Sequence, residues 1–316
     1  MTLFNSVDLR HHSLFMTYEL LSAGYDDRAI TRMCRSGELH RLRHGAYTFG
    51  SFWNELDDVG RRLLLARATL RCARAPSVLA GPSAADVFGV PVWEPGDETH
   101  LARLDQRAGR RETGKAQHRG VILAQDLTVR DGVPLTSGTR TAIDMITSTD
   151  TEHALVVVNG LLHAEETTLP LIEHRIAGMA QVPGSLNAPI VLALADARCE
   201  SAGESRVVWL CWSQHLPAPE PQHKVRNREG RVVARVDFAW PELGVFLEFD
   251  GKEKYLRYRR PGETVADAVI REKNREAMIC GLTGWRCIRL TWADLFYPER
   301  TAARILATLN GQVWAA

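Results

Sequence analysis

The sequence has few of the features that mark secreted, membrane-spanning or disordered proteins. Its 316 residues include 6 cysteines, with no CxxC pair and no zinc-type spacing. Met1–Arg10 has no apolar signal core, and apolar stretches such as Pro189–Ala195 fall far short of the roughly 20 residues that a membrane helix needs. We therefore expect a cytoplasmic protein with reduced thiols and no membrane partner.

The sequence also lacks an excess of either charge. Lys and Arg number 39 against 38 Asp and Glu, which leaves a formal net charge of +1, and 45% of the residues are hydrophobic. This balance excludes a uniformly basic nucleic-acid binder, although local basic faces stay open because steering depends on how charge is distributed. The length predicts several domains, since single cores stop growing near roughly 250–300 residues.

The pattern of elements predicts a multi-domain α/β fold with domains at residues 1–55, 56–185 and 190–316. In the first domain, apolar spacing predicts a helix over Met16–Ala23, and Asp26 caps a second helix over Asp27–Ser36. A basic hairpin around Gly45 follows. This order is typical of a winged helix-turn-helix, whose second helix enters the major groove while the hairpin carries cations toward phosphates.

The predicted DNA-binding residues of this domain are Arg28, Arg32, Arg35, Arg41 and Arg43. The alternative is a small helical cap with a solvated basic face. The segments Leu20–Ile30 and Arg35–Tyr47 resemble the N-terminal domain of AbiEi-type antitoxins, the transcriptional autoregulators of type IV toxin–antitoxin operons. The resemblance covers about residues 10–50 and implies a module that binds DNA or a protein partner.

The middle domain resembles the continuation of the AbiEi family at Val78–Val90 and Gly132–Asp144. A basic tract lies between these two segments and is predicted to be an exposed loop or hairpin. It is either a solvated surface or a loop that contacts phosphates. Its members are Arg103, Arg107, Arg110, Arg111, Lys115 and Arg119.

Two acids interrupt apolar strands near the C-terminus. Asp237 lies in the predicted strand Arg231–Trp240, and Glu248 lies in Val245–Asp250, across a short turn. A buried carboxylate is costly unless it is paired or binds a cation, and a hard divalent ion offsets the repulsion between two of them. The spacing leaves open a Mg²⁺ or Mn²⁺ site, or a structural salt bridge with Arg235 or Lys252.

Glu204, Val236–Phe238, Glu248–Gly251 and the segment Gly284–Leu290 together resemble the Vsr-like branch of the PD-(D/E)XK nucleases, over about residues 196–298. The resemblance implies a restriction-endonuclease-like mixed β-sheet flanked by helices. It also implies a metal, Mg²⁺ or Mn²⁺, held by Asp237, Glu248 and Asp250 and supported by Glu204. Asp250 stands where the family has a lysine.

Other residues complete the predicted catalytic site. Lys252 or Lys273 would take the cationic role of the family lysine, and Gln222 is an additional site residue on the first strand. A basic loop beside the site is predicted to follow the DNA phosphates through Arg257, Arg259 and Arg260.

Two functions therefore compete. The leading hypothesis is a metal-dependent DNA endonuclease, targeted by the N-terminal domain and acting in DNA repair or phage defence. Its metal would activate a water molecule and stabilise the charge of the transition state. The alternative is a non-catalytic DNA-binding transcriptional regulator of antitoxin type, with a degenerate nuclease fold. A third and weaker hypothesis is an RNA nuclease. The sequence leaves the oligomeric state open.

Overall fold

The structure is a computed structural model that describes residues 13–105, 111–112, 114–118, 120–179, 184–251 and 264–312. Contacts group these residues into two compact units. The first unit holds the described residues up to Ser148 and those from Glu166 to Met179, and the second holds Thr149–Glu165 and those from Gly184 onward. No helix in this part of the chain is long and apolar enough to cross a membrane.

The first unit begins with a small sheet and its helices. The elements are β1 (Phe15–Met16), α1 (Thr17–Ser22), α2 (Asp27–Ser36), β2 (Leu39–Arg43), β3 (Ala46–Phe49), α3 (Gly50–Glu55) and α4 (Asp58–Arg71). The sheet is antiparallel, in the order β1-β3-β2. Its core packs around Phe15, Leu20, Ile30 and Leu39. The predicted helix over Asp27–Ser36 is confirmed, and the helix before it is one residue shorter at each end than predicted.

Local signals fix both ends of α2. At its start, the Asp26 Oδ1 accepts a hydrogen bond of 2.6 Å from the backbone N–H of Ala29, which satisfies one of the free donors of the first turn. At its end, Gly37 adopts a left-handed φ of 82°. A Cβ at Gly50 would lie 1.9 Å from the carbonyl oxygen of Gly37. Only glycine fits there, so the backbone at the end of α2 lies directly against the start of α3.

A second, six-stranded sheet follows in the same unit. Its elements are β4 (Ser77–Leu79), α5 (Gly81–Phe88), β5 (Thr99–Arg103), β6 (Arg111–Glu112), β7 (Lys115–His118), β8 (Leu127–Arg130), β9 (Val133–Thr136) and α6 (Gly138–Ser148). The helix α7 (Thr151–His163) belongs to the other unit, and α8 (Leu169–Ala177) returns to this one. The strand order is β6-β7-β5-β4-β9-β8, with β5/β7 and β4/β9 parallel.

A buried ion-pair network joins α6 and α8 in this unit. The Arg140 guanidinium donates to Asp144 over 2.8 Å and lies 3.3 Å from Asp126, which also receives two hydrogen bonds from Arg175. Burial raises the pKa of Asp144, and the Arg140 charge opposes that rise. Because these carboxylates are almost fully buried, the arginines are needed to compensate their charge.

The second unit is built on a four-stranded mixed sheet. Besides α7, its elements are α9 (Ala188–Leu194), α10 (Ala202–Ser213), β10 (Glu220–Arg226), β11 (Val232–Trp240), β12 (Val245–Asp250), α11 (Val265–Thr283), β13 (Arg286–Thr291), α12 (Trp292–Leu295) and α13 (Pro298–Leu309). The order is β10-β11-β12-β13. Among the described strands of this sheet, β12 and β13 are parallel and the other neighbours are antiparallel.

Helices cover both faces of this sheet. Phe238 and Leu247 pack with Val207 of α10 and Ile305 of α13, whereas Ala239 and Phe246 pack with Ile279 of α11. With three sheets and 13 α-helices in the described residues, the predicted α/β fold class is confirmed at the level of a mixed α/β chain. The contacts put residues 1–55 and most of 56–185 of the predicted domains in one unit.

Candidate functional site

The helix α2 presents three arginines to solvent. Arg28, Arg32 and Arg35 lie at i, i+4 and i+7, so they share one side of the helix, and all three are exposed. We call them the α2 arginine face. In the described part of the chain no acidic side chain forms an ion pair with any of the three. Their positive charge is therefore available to an anionic partner.

The hairpin of β2 and β3 adds two predicted contacts beside this face. Arg41 is exposed, and its Nη2 lies 2.9 Å from Nδ1 of His44 at the turn. Arg43 is half-buried and pairs with Ala46 across the hairpin. The five residues predicted to bind DNA thus lie on one helix and the hairpin that follows it.

Strand register brings two of the predicted acids together in the second unit. Phe238 pairs with Leu247 across the antiparallel strands β11 and β12. Because side chains alternate along a strand, Asp237 and Glu248 lie on the opposite sheet face from that pair, which is the face that α11 covers. Both are nearly buried, and the Asp237 Oδ2 accepts a hydrogen bond of 2.8 Å from the backbone N–H of Phe249.

Glu204 reaches the same region from α10. Its carboxylate accepts hydrogen bonds from the Glu200 N–H, the Ser201 hydroxyl and the Gln222 amide, at 2.9, 2.8 and 2.8 Å. Burial first, and then the negative charge of Asp237, raise the pKa of Glu204. Gln222 holds this contact from a backbone φ of 53°, a strained conformation for a residue other than glycine.

We call Glu204, Asp237, Glu248 and Asp250 the acidic cluster. Two arginines contact its outer members. Arg275 of α11 donates from Nη2 to the Glu248 Oε1 over 2.7 Å, and Arg289 of β13 donates from Nη1 to both Asp250 oxygens over 2.9 and 2.8 Å. Of the two acids that the sequence left between a metal and a salt bridge, Glu248 is therefore in an ion pair, with Arg275 and not with the predicted Arg235, which pairs with Glu200.

Further acids of α11 complete this network. Arg275 also donates to Glu272 over 2.7 Å, and Arg289 donates to Glu276 over 2.6 Å. Burial alone would lower the pKa of Arg275, but the contacts with Glu272 and Glu248 outweigh it and raise the pKa. Both guanidinium groups thus stay charged at every pH at which the protein is folded.

These contacts determine how well the acidic cluster fits the predicted Mg²⁺ or Mn²⁺. Such an ion takes carboxylate oxygens at about 2.0–2.1 Å in a near-octahedral shell. Glu248 and Asp250 already give oxygens to guanidinium groups, so an ion would have to displace these groups or lie beside a like charge. Among the described residues no group of three or more His, Cys, Asp or Glu is arranged to hold a metal. The cluster as arranged does not fit the ion.

The remaining predicted residues divide into two groups. Lys273 is exposed on α11, and none of its described contacts reaches the acidic cluster. The other group lies outside the described residues, as does the predicted basic loop. This group contains Lys252, Arg257, Arg259 and Arg260.

Sequence reasoning missed Arg275 and Arg289 as partners of the acids. Arg275 lies four positions before Ile279, which packs on the sheet, so one helix face carries both to β12. Arg289 pairs with Glu248 in the parallel register of β12 and β13. Both contacts depend on how α11 and β13 pack against β12, which no local sequence pattern gives.

Comparison with known families assigns the N-terminal segment. The AbiEi_4 model, described as "Transcriptional regulator, AbiEi antitoxin", matches residues 6–50. This range contains α1, α2 and the hairpin, so the resemblance predicted for this segment is confirmed. The match does not extend to the second unit, and the nuclease domain stays a prediction.

Relatives occur in mycobacteria. The uncharacterized proteins MT2308 and Rv2248, from two strains of Mycobacterium tuberculosis (CDC 1551 / Oshkosh and ATCC 25618 / H37Rv), are each 30% identical over 171 residues. The match spans 54% of this chain and 59% of each relative. The crystal structure of the Rv2827c protein from M. tuberculosis shares 20% identity at a TM-score of 0.39, over 68% of this chain and 84% of that one. That likeness is too low to bear on function.

Proposed function

We propose that the chain is a DNA-binding transcriptional regulator of antitoxin type, and that its N-terminal segment binds DNA as a winged helix-turn-helix. The observation that carries the proposal is the α2 arginine face. Three exposed arginines, unpaired with described acids, lie beside a basic hairpin, in the segment that the AbiEi family model matches.

The dimensions of α2 suit this role. Its 10 residues give a helix about 15 Å long, and its diameter with side chains, about 10–12 Å, matches a major groove about 12 Å wide. Arg28 and Arg32, in the first turns, would reach base edges, where arginine binds guanine through two hydrogen bonds. Arg35, at the other end, and Arg41 on the hairpin would contact phosphates and fix the orientation of the module.

The second unit has a supporting role in this proposal. Its acids are held by Arg275 and Arg289, an arrangement that favours a degenerate nuclease fold over a catalytic one. Such a unit would serve as a stable body or as a surface for a protein partner. Regulation would then depend on the N-terminal segment, and DNA would remain intact in the complex.

A binding assay tests the proposal. The probe is a fluorescent duplex from the region immediately upstream of the chain's own coding sequence, compared with a scrambled duplex of the same length. We expect tight, sequence-selective binding by the full chain and a loss of at least about tenfold in the Arg28→Ala, Arg32→Ala variant, since each base or phosphate contact contributes to affinity.

The matched control is the Arg228→Ala, Arg300→Ala variant. It removes the same charge from two exposed arginines of the second unit. Equal weakening by both double variants would show that net charge, and not the α2 arginine face, governs binding, and the proposal would then be wrong.

The predicted metal-dependent nuclease is the rival of this proposal. It is favoured by one observation, the placement of the buried Asp237 and Glu248 side by side on neighbouring strands, and it requires Arg275 to leave Glu248. Supercoiled plasmid incubated with Mg²⁺ or Mn²⁺ tests it. Cleavage that disappears in the Asp237→Ala, Glu248→Ala variant would establish the rival, whereas intact plasmid, or equal cleavage by both proteins, would rule it out.

A further inference from the structure

We infer that Arg275 is the resident cation of the acidic cluster: its guanidinium takes the place at Glu248 that a divalent ion would take in the predicted nuclease. The contact between Arg275 and Glu248 conflicts with the metal site that the nuclease resemblance implies. The acidic cluster therefore has a different role. It is a metal-independent structural element of the second unit. The inference goes beyond the proposed DNA binding and does not depend on it.

Three anchors hold the Arg275 guanidinium in place. Nη2 lies 2.7 Å from Glu248 and 2.7 Å from Glu272, while Nη1 donates to the backbone carbonyl of Arg235 over 3.0 Å. The Glu248 side chain is 4% exposed and that of Arg275 is 30% exposed. A guanidinium held by two carboxylates and a carbonyl is an ordered part of the fold and not a mobile surface charge.

Charge balance supports the same conclusion. Glu248 is buried on the sheet face that α11 covers, and a buried carboxylate needs a partner of opposite charge. The arginine supplies that charge permanently, because guanidinium does not lose its proton in a folded protein. A divalent ion would add a second cation beside the first, so metal and arginine exclude each other at this carboxylate.

At Asp250, too, an arginine takes the place of the predicted metal ion. Both its oxygens accept from the Arg289 Nη1, and Arg289 is fixed in turn by Glu276. Asp250 is the residue that replaces the family lysine, so an acid in that position has acquired its own arginine. Two of the three predicted metal ligands are therefore neutralised by side chains of α11 and β13.

A titration with Mn²⁺ alone tests the inference on the full chain, with the free ion followed by electron paramagnetic resonance. We expect no saturable binding to the wild type. In Arg275→Gln the guanidinium is gone, and Asp237 and Glu248 should then bind Mn²⁺ saturably, at least about tenfold more tightly than the weakest binding that the wild-type titration would detect. Adding Glu248→Gln to Arg275→Gln should remove the new binding.

The matched control is Arg300→Gln, which removes one positive charge from an exposed arginine of the same unit and should leave Mn²⁺ binding as in the wild type. A second variant, Glu248→Gln with Arg275→Met, removes both charges of the pair and should stay folded without binding Mn²⁺, since a neutral replacement of a buried ion pair is often tolerated. Circular dichroism checks the fold of each variant.

Several results would overturn the inference. One is saturable Mn²⁺ binding to the wild type that Glu248→Gln abolishes, because the metal and Arg275 would then coexist. Another is a folded Arg275→Gln variant that binds Mn²⁺ no better than the wild type. Unfolding of the charge-neutral double variant would also contradict it, because that result would assign the pair a role other than charge compensation.

Discussion

Arginine is used in opposite ways in two regions of this molecule. On α2 the guanidinium groups of Arg28, Arg32 and Arg35 are in solvent and form no ion pair with described acids, whereas Arg275 and Arg289 are bound to carboxylates beside a sheet. A solvated arginine costs the fold little and can bind a phosphate. A paired one stabilises its neighbours and is not available to a ligand. Composition alone cannot distinguish these uses, because both contribute equally to the net charge.

The largest effect is expected where arginine is buried. Arg140→Ala leaves the buried Asp144 without a compensating charge and leaves Asp126 with Arg175 alone, so we expect the free energy of unfolding to fall by about 3–5 kcal/mol. Urea denaturation of the full chain, followed by circular dichroism, measures this change. Arg35→Ala is the control and should stay within about 0.5 kcal/mol of the wild type, as exposed substitutions usually do. A similar loss of unfolding free energy in both variants would contradict the difference between buried and exposed arginines.

The next effect concerns the exposed arginines and should appear in binding instead of stability. Replacing Arg28, Arg32 and Arg35 with alanine should make the logarithm of DNA affinity less dependent on the logarithm of salt concentration. The slope should decrease by about 2.7 if all three contact phosphates, and by less if some read bases. Affinity measured from low to moderate salt gives the slope. An unchanged slope would mean that α2 does not lie on the duplex.

A smaller effect is expected from pH in the first unit. The His118 Nε2 lies 2.8 Å from the His100 Nδ1, and burial lowers the pKa of His118, with Arg140 adding to the shift and Asp144 opposing it. Because the unfolded histidine binds a proton more readily than the folded one, stability should fall as pH drops below about 6.5, by at most about 1.4 kcal/mol per pH unit. His118→Asn should reduce this dependence in urea denaturation measured at several pH values. A steeper pH dependence in His118→Asn than in the wild type would contradict the lowered pKa of His118.

The smallest effect is expected at the start of α2. Asp26→Ala removes the side-chain acceptor for the Ala29 N–H and should destabilise the helix by about 1 kcal/mol. Thermal unfolding measures the loss, and Asp26→Asn should restore most of it because asparagine also caps helices. If the alanine variant also bound DNA less tightly at a temperature where it is fully folded, the order of α2 would itself contribute to binding.

Local chemistry made much of the first unit predictable. The boundaries of α2 follow from Asp26 and Gly37, which are close in sequence to the residues they act on. The positions of Asp237 and Glu248 on neighbouring strands were also within reach, because alternation and a short turn are local patterns.

The partners of those acids could not be predicted in the same way. Arg275 meets Glu248 only because α11 crosses the sheet face with Ile279 packed beneath it, and that crossing depends on tertiary packing. Helical geometry then selects Arg275 over the nearby Lys273, which points to solvent. The Arg140 network was missed for the same reason, since Asp126 and Arg175 are distant in sequence and meet only in the fold.

The close approach of Gly50 to Gly37 has a consequence for DNA recognition. The Gly50 N–H also donates to the Glu38 carbonyl over 2.9 Å, so the chain that leaves the hairpin is fastened to the chain that enters it. Backbone contacts therefore fix the base of the hairpin against the end of α2. In the proposed complex the duplex has to supply the matching groove width, and sequences that reach that shape at low energetic cost would be preferred even at base pairs that no side chain contacts.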